Sequence, residues 1–176
     1  ASVGGKTGIN FGGVKNLIGT FSQPVAVLCD TDFLTTLPQK EFIEGFAEVV
    51  KHGLIADKEY FEFATSKKPP DFTKQELTKI ILGSIKIKAA VVAADEKEGG
   101  QRRLLNFGHT IGHAIEALSQ ETNQPLLHGE AISIGMIAEA KISQLLGLIP
   151  QAKVDQIKQV LENAGLPVDV PDLPAE

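Results

Sequence analysis

Cysteine occurs once, at Cys29, so the chain has no internal disulfide to form and suits a reducing, cytoplasmic setting. No apolar run reaches the roughly 18 residues that a membrane span needs. The opening ASVGGKTGINFGG lacks the charged-then-apolar order of a signal peptide. No basic tract is long enough to neutralise several phosphates, and the net charge is -5, which excludes a general nucleic-acid binder. A small anionic substrate stays possible, because a few cations gathered in one cleft dominate locally. There is no internal repeat, and no Gly-x-Gly-x-x-Gly between strand and helix to bind a dinucleotide. GGKTG at 4–8 ends like a phosphate-binding loop but lacks the first glycine of Gly-x-x-x-x-Gly-Lys-Thr, which excludes an NTPase site.

What is present is ordinary for a folded domain: 176 residues, 43% of them hydrophobic and 22% charged, enough for one well-filled core. Residues 1–20 are glycine-rich, with Lys6 and Lys15 between the glycines, and read as loops that approach a ligand or another backbone closely. PVAVLCD at 24–30 reads as a short buried strand in which Cys29 is a small hydrophobe. Asp32 to Pro38 is a short turn. From 39 to 56 an apolar stripe at Phe42, Phe46, Val49 and Val50 predicts a helix, and Asp57 is placed to cap the next. KKPPD breaks that one. Thr73 and Glu76 have capping-box spacing ahead of a long helix carrying Leu77, Ile80, Ile81, Ser84, Ile85, Lys88 and Val92 on one side. Further helices are expected at 104–119, at 130–146, and from Pro150 to about Gly165. The fold class is mainly α: a loop and strand segment at 1–38, then a helical domain at 39–176.

The stretch 104–130 holds three of the four histidines. His109 and His113, at i and i+4, lie on one helix face and reach one volume, as two metal ligands or as one ligand and one acid–base group. The metalloprotease form of this spacing needs Glu after the first histidine, and Thr110 stands there. His128, in a turn at a helix start, can fold back onto the pair. A catalytic zinc commonly takes three protein ligands of nitrogen and oxygen type, so a carboxylate is wanted. Glu48 is flanked by Phe46, Ala47, Val49 and Val50, a setting in which a carboxylate wants a counter-charge. Spacing alone leaves Glu44, Glu48 and Glu130 open. Lys88, on the apolar side of its helix, wants an anion or snorkels to water. Arg102, Arg103 and Asn106, just before His109, suit contact with a carboxylate or phosphate.

The runs SVGGKTGIN, KNLIG, TLPQKEFIEGFAEVVKHGLI, KAAVVAADEKEGGQRRLLNFGHTIGHAIE and LHGEAISIGM resemble the middle and C-terminal parts of the 3-dehydroquinate synthase family, over residues 2–165. These are sugar phosphate cyclases. The resemblance implies a helical metal- and substrate-binding domain truncated at both ends, without the N-terminal NAD-binding domain and without a late C-terminal piece. Position by position it implies metal ligands Glu48, His109 and His128, for Zn2+ or Co2+. It implies substrate contacts from Lys51, Lys88, Arg102 and Asn106, with His113 tied to proton transfer and Glu98 as a further acid near the substrate. Lys6, Lys15 and Asn16 match residues of the same cleft, and Phe33, Thr36, Leu37 and Glu41 match the NAD-binding wall.

The implied reaction converts a seven-carbon sugar acid phosphate, 3-deoxy-D-arabino-heptulosonate 7-phosphate, to 3-dehydroquinate and phosphate. It runs through transient oxidation by NAD, phosphate elimination, reduction and an intramolecular aldol closure. A homodimer is also implied. One departure is clear: Phe11-Gly12-Gly13-Val14 stands where the family usually has His-Pro-Leu-Gly. The alternatives are another cyclase, acting on sedoheptulose 7-phosphate or glucose 6-phosphate, or an inactive structural fragment. Lys88, Arg102 and Asn106 together favour the substrate that carries a carboxylate.

Overall fold

Helices form where caps and an apolar stripe coincide. The computed structural model describes residues 3–12 and 14–170, apart from the side chains of Asn10, Val14, Lys15 and Asn16. A hairpin of β1 (Ile9–Phe11) and β2 (Val14–Ile18) leads. Six α-helices follow among the described residues: α1 (Gln39–Ala56), α2 (Lys58–Ala64), α3 (Lys74–Ala94), α4 (His109–Ser119), α5 (His128–Leu145) and α6 (Gln151–Asn163). Short 3-10 turns occupy Thr31–Thr36, Pro69–Asp71 and Gln101–Asn106.

The expected caps are in place. The Asp57 carboxylate accepts from the Tyr60 amide at 2.8 Å and so separates α1 from α2. Thr73 and Glu76 form a reciprocal capping box at the start of α3: Glu76 accepts from the Thr73 amide at 2.8 Å, and Thr73 Oγ1 accepts from the Glu76 amide at 3.3 Å. Pro150 caps α6, and Gly165, at φ 84°, follows its end.

α1 lies at the centre because it is apolar on two sides. Ala47 and Val50 join a core with Ile132, Met136 and Ala140 of α5 and Leu161 of α6. Phe46 and Val49 join a second core with Tyr60, Phe72 and Ile80. Glu48, Lys51 and His52, at i, i+3 and i+4, share the remaining face. The tightest crossing is α4 on α5. A Cβ on Gly135 would stand 2.0 Å from the Gly108 carbonyl oxygen, and Gly108 itself sits at φ 78°, so both positions require glycine. That crossing brings the start of α4, with His109, against α5.

Four expectations are corrected. Residues 24–30 form no strand, Val25 and Leu28 are fully exposed, and Cys29 is exposed rather than buried. A strand needs a neighbour for its ladder, and among the described residues no strand pairs with this segment. The glycine-rich start, read as loops, instead contains the hairpin, where Ile9 and Phe11 supply β-formers and Gly12 turns at φ 59°. The helix expected at 104–119 begins only at His109, because left-handed Gly108 separates it from the 3-10 turn that carries Arg102 and Asn106. His128 is likewise the first residue of α5 rather than part of a turn.

Candidate metal and substrate site

The three histidines meet. His109 and His113 have ring centroids 5.1 Å apart, His109 and His128 5.4 Å, and His113 and His128 5.6 Å. One nitrogen from each ring lies within 4.8 Å of the others, the spread that a single metal ion can span after small rotations. α1 adds the carboxylate: Glu48 Oε1 is 3.4 Å from His109 Nε2. His109, His128 and Glu48 are half-buried, whereas His113 is exposed. The other two candidate acids are engaged elsewhere. Glu44 accepts from the Gly129 amide at 2.8 Å, and Glu130 accepts from the Leu127 amide at 2.7 Å, each tying down the start of α5.

Electrostatics around Glu48 favour an ionised carboxylate beside neutral imidazole. Burial alone would raise the Glu48 carboxyl, but Lys51, at 2.7 Å, together with His109 and His52 holds it below the usual range. Burial, reinforced by the Lys51 charge, pushes His109 down to about 4 against the pull of Glu48. At neutral pH His109 is therefore an unprotonated nitrogen donor, the form that metals bind. Lys51 is buried, donates to the Leu105 carbonyl at 2.7 Å, and is pulled below its normal range by that burial despite Glu48.

The cations expected to hold an anion converge in part. Lys88, half-buried on α3, lies close enough to Lys51 to depress it and has no ion-pair partner among the described residues. Asn106 donates to Glu98 Oε1 at 2.7 Å, and Lys6 pairs with the other oxygen of Glu98, so the leading segment reaches the 3-10 turn that precedes α4. Glu98 is the described non-glycine residue at positive φ, 61°. Arg102 is buried and spends two donors on backbone, to Gly4 at 2.7 Å and Glu96 at 2.5 Å, so it contributes charge more than free hydrogen bonds.

Phe33, Thr36, Leu37 and Glu41 lie exposed along the turn before α1 and at its start. The side chains of Lys15 and Asn16 lie outside the described residues. A groove of about 1380 Å³ includes Asn106 and Glu98 but none of the three histidines.

Sequence reasoning missed Glu116 and His52. Glu116 accepts from His128 Nδ1 at 3.1 Å. Its spacing was the available signal, since i+3 from His113 and i+7 from His109 put it on the histidine face. His52 is 3% exposed, with Nδ1 2.7 Å from Ser84 Oγ, and burial pushes it down to about 4. Its place one turn after Glu48 was visible, but its contact with α3 was not.

A helical domain that gathers three imidazoles, with a carboxylate beside one of them, has donor groups of the kind that hold a metal ion. Comparison with known proteins narrows that class. The family model described as 3-dehydroquinate synthase C-terminal matches residues 45–176, and the one described as 3-dehydroquinate synthase N-terminal matches 1–44. The chain belongs to the 3-dehydroquinate synthase family. It is 49% identical over 173 residues to the 3-dehydroquinate synthase of Thermodesulfovibrio yellowstonii, covering 97% of this chain and 48% of that protein. The chain thus spans about half the length of the relatives it matches.

Among solved structures, 2-deoxy-scyllo-inosose synthase complexed with carbaglucose-6-phosphate, NAD+ and Co2+ superposes with a TM-score of 0.87 at 32% identity, over 99% of this chain and 47% of that one. The 2-epi-5-epi-valiolone synthase of Streptomyces hygroscopicus, with NAD+ and Zn2+ bound, superposes at 0.84 with 27% identity, over 97% and 48%. Among the described residues no helix is long and apolar enough to cross a membrane.

Proposed function

We propose that this chain supplies the metal- and substrate-binding half of a 3-dehydroquinate synthase, converting 3-deoxy-D-arabino-heptulosonate 7-phosphate to 3-dehydroquinate and phosphate. The observation that carries the reading is the convergence of His109, His113 and His128 on one volume, with Glu48 of a third helix 3.4 Å from His109. Nitrogen and oxygen donors of this kind fit Zn2+ or Co2+. We assign the metal to Glu48, His109 and His128, and leave the exposed His113 for proton transfer. When bound, the ion supplies Lewis-acid polarisation of substrate hydroxyls. NAD, held mainly by a domain that the relatives carry in their other half, supplies the hydride chemistry.

The residues of this chain bind and orient. Glu116 fixes the His128 ring by accepting from Nδ1, which leaves Nε2 for the metal. Lys88, Arg102 and Asn106 draw in and align the carboxylate and phosphate of the substrate. Lys51 holds Glu48 ionised. His113 takes and returns a proton at its exposed imidazole nitrogen. Phe33, Thr36, Leu37 and Glu41 form one wall for NAD, and Lys6, Lys15 and Asn16 extend the cleft. The division falls near 38/39, with 1–38 at the domain junction and 39–176 as the helical domain.

The test is a chimera that joins this chain to the N-terminal half of the Thermodesulfovibrio relative. It is expected to release phosphate from the heptulosonate phosphate, with an absolute need for NAD. Release from sedoheptulose 7-phosphate or glucose 6-phosphate in its place would reassign the substrate to another cyclase.

A further inference from the structure

The two oxygens of Glu48 have different surroundings. Oε1 faces His109 Nε2 at 3.4 Å. Oε2 faces Lys51 Nζ at 2.7 Å and, from a second direction, His52 Nε2 at 3.8 Å. His52 Nε2 is buried and has no hydrogen-bond partner, a costly position for a polar atom unless it serves a neighbour. The other ring nitrogen, Nδ1, lies 2.7 Å from Ser84 Oγ on α3.

A neutral imidazole has one N–H, and Ser84 determines where it sits. If Nδ1 carried the proton, the bare lone pair of Nε2 would face a carboxylate oxygen in a poorly solvated interior, which is repulsive. If Ser84 donates to Nδ1, the proton stands on Nε2 and points at Glu48. The surroundings of Ser84 support the second arrangement. The Tyr60 hydroxyl donates to the Ile80 carbonyl at 3.0 Å, so its own proton is used, and Ser84 also touches Tyr60. Between the phenol oxygen and the imidazole nitrogen, the nitrogen is the stronger acceptor for the Ser84 proton.

We propose that His52, oriented by Ser84, is a positioning residue: its Nε2–H, together with Lys51, keeps Oε2 of Glu48 turned inward so that Oε1 alone is offered to the metal. The inference rests on Glu48 being a ligand. At 3.8 Å the pair stands just beyond hydrogen-bond distance, and in the proposed arrangement the Glu48 side chain turns to close it. Outer groups of this kind typically set metal affinity by about 10- to 100-fold.

The test is zinc affinity by chelator competition on the full chain, with the Co2+ absorption spectrum as a second readout. His52→Leu fills the space but removes the N–H, and is expected to weaken zinc roughly 10-fold or more and to shift the cobalt bands. His52→Gln, whose amide nitrogen reaches where Nε2 stands, is expected to restore affinity to near wild type. Ser84→Ala, a small change that spares the packing, is expected to weaken zinc several-fold. If His52 only fills space, leucine will bind zinc as wild type does and glutamine will bring no gain, which overturns the proposal. Should His52→Leu fail to fold, unchanged affinity in Ser84→Ala overturns it just as surely. A wild-type chain that binds no zinc would instead sink the metal-centre reading, and the inference with it.

Discussion

Glu48 occupies a half-buried position where an isolated carboxylate would be driven towards its neutral form, and it stays charged because Lys51 lies 2.7 Å away. In the proposed metal centre it would serve as a ligand with a full negative charge rather than as a hydrogen-bonded acid. His113 touches the same volume but is exposed, which suits a group that exchanges protons with substrate. Zinc competition therefore separates the roles. Glu48→Gln is expected to weaken binding by roughly 10- to 100-fold or more, whereas His113→Ala is expected to change it by no more than a few-fold; the reverse order would exchange the two assignments. At this scale the sequence was informative wherever a residue acts through its own helix. The i, i+4 histidines and the apolar flanks of Glu48 were readable because helical spacing fixes which side chains share a face. The choice among Glu44, Glu48 and Glu130 was not, because it depends on how α1 crosses α5. Glu116 and His52 went unseen for the related reason that their partners, His128 and Ser84, lie on other helices.

Caps and breakers carried most of what was readable about the elements. The α3 capping box illustrates how the chemistry is built in. Glu76 is held down to about 2, first by its hydrogen bond from Lys67 and then by Thr73, against an ordinary value of 4.5. A carboxyl depressed on folding stabilises the native state above its unfolded pKa, and that contribution is lost as pH falls through the folded value. Urea unfolding of wild type and Glu76→Gln is therefore expected to differ near pH 6 and to converge between pH 4.5 and 2. A gap that stays constant with pH would mean that the charge is not what matters. Thr73→Ala is expected to cost about 1 kcal/mol. The elements that were misread depend on distant partners. A strand at 24–30 requires a neighbouring strand, and the break at Gly108 is set by the close approach of Gly135 and Met136 from α5. Neither is written in local periodicity.

At the scale of the whole molecule, the helical part is well filled and the leading segment is not. Ile9, Phe11, Leu17, Phe21, Val25 and Phe33 are all more than half exposed, in the stretch matched by the N-terminal family model. A surface of that kind is ordinarily covered, and we assign its cover to the half of the relatives that this chain does not span. On the proposed function, the chain by itself would offer NAD one wall of a cleft. Calorimetry with NAD is expected to detect weak binding or none, and strong binding in the chimera. Tight binding to the isolated chain would move the cofactor site into the helical domain. The most direct test of the metal centre counts metal in four purified proteins by elemental analysis: wild type, His109→Ala, His128→Ala and Cys29→Ser. About one equivalent of zinc or cobalt is expected in wild type and in Cys29→Ser, with clear loss in both histidine variants. Equal occupancy in all four would contradict a centre built on Glu48, His109 and His128.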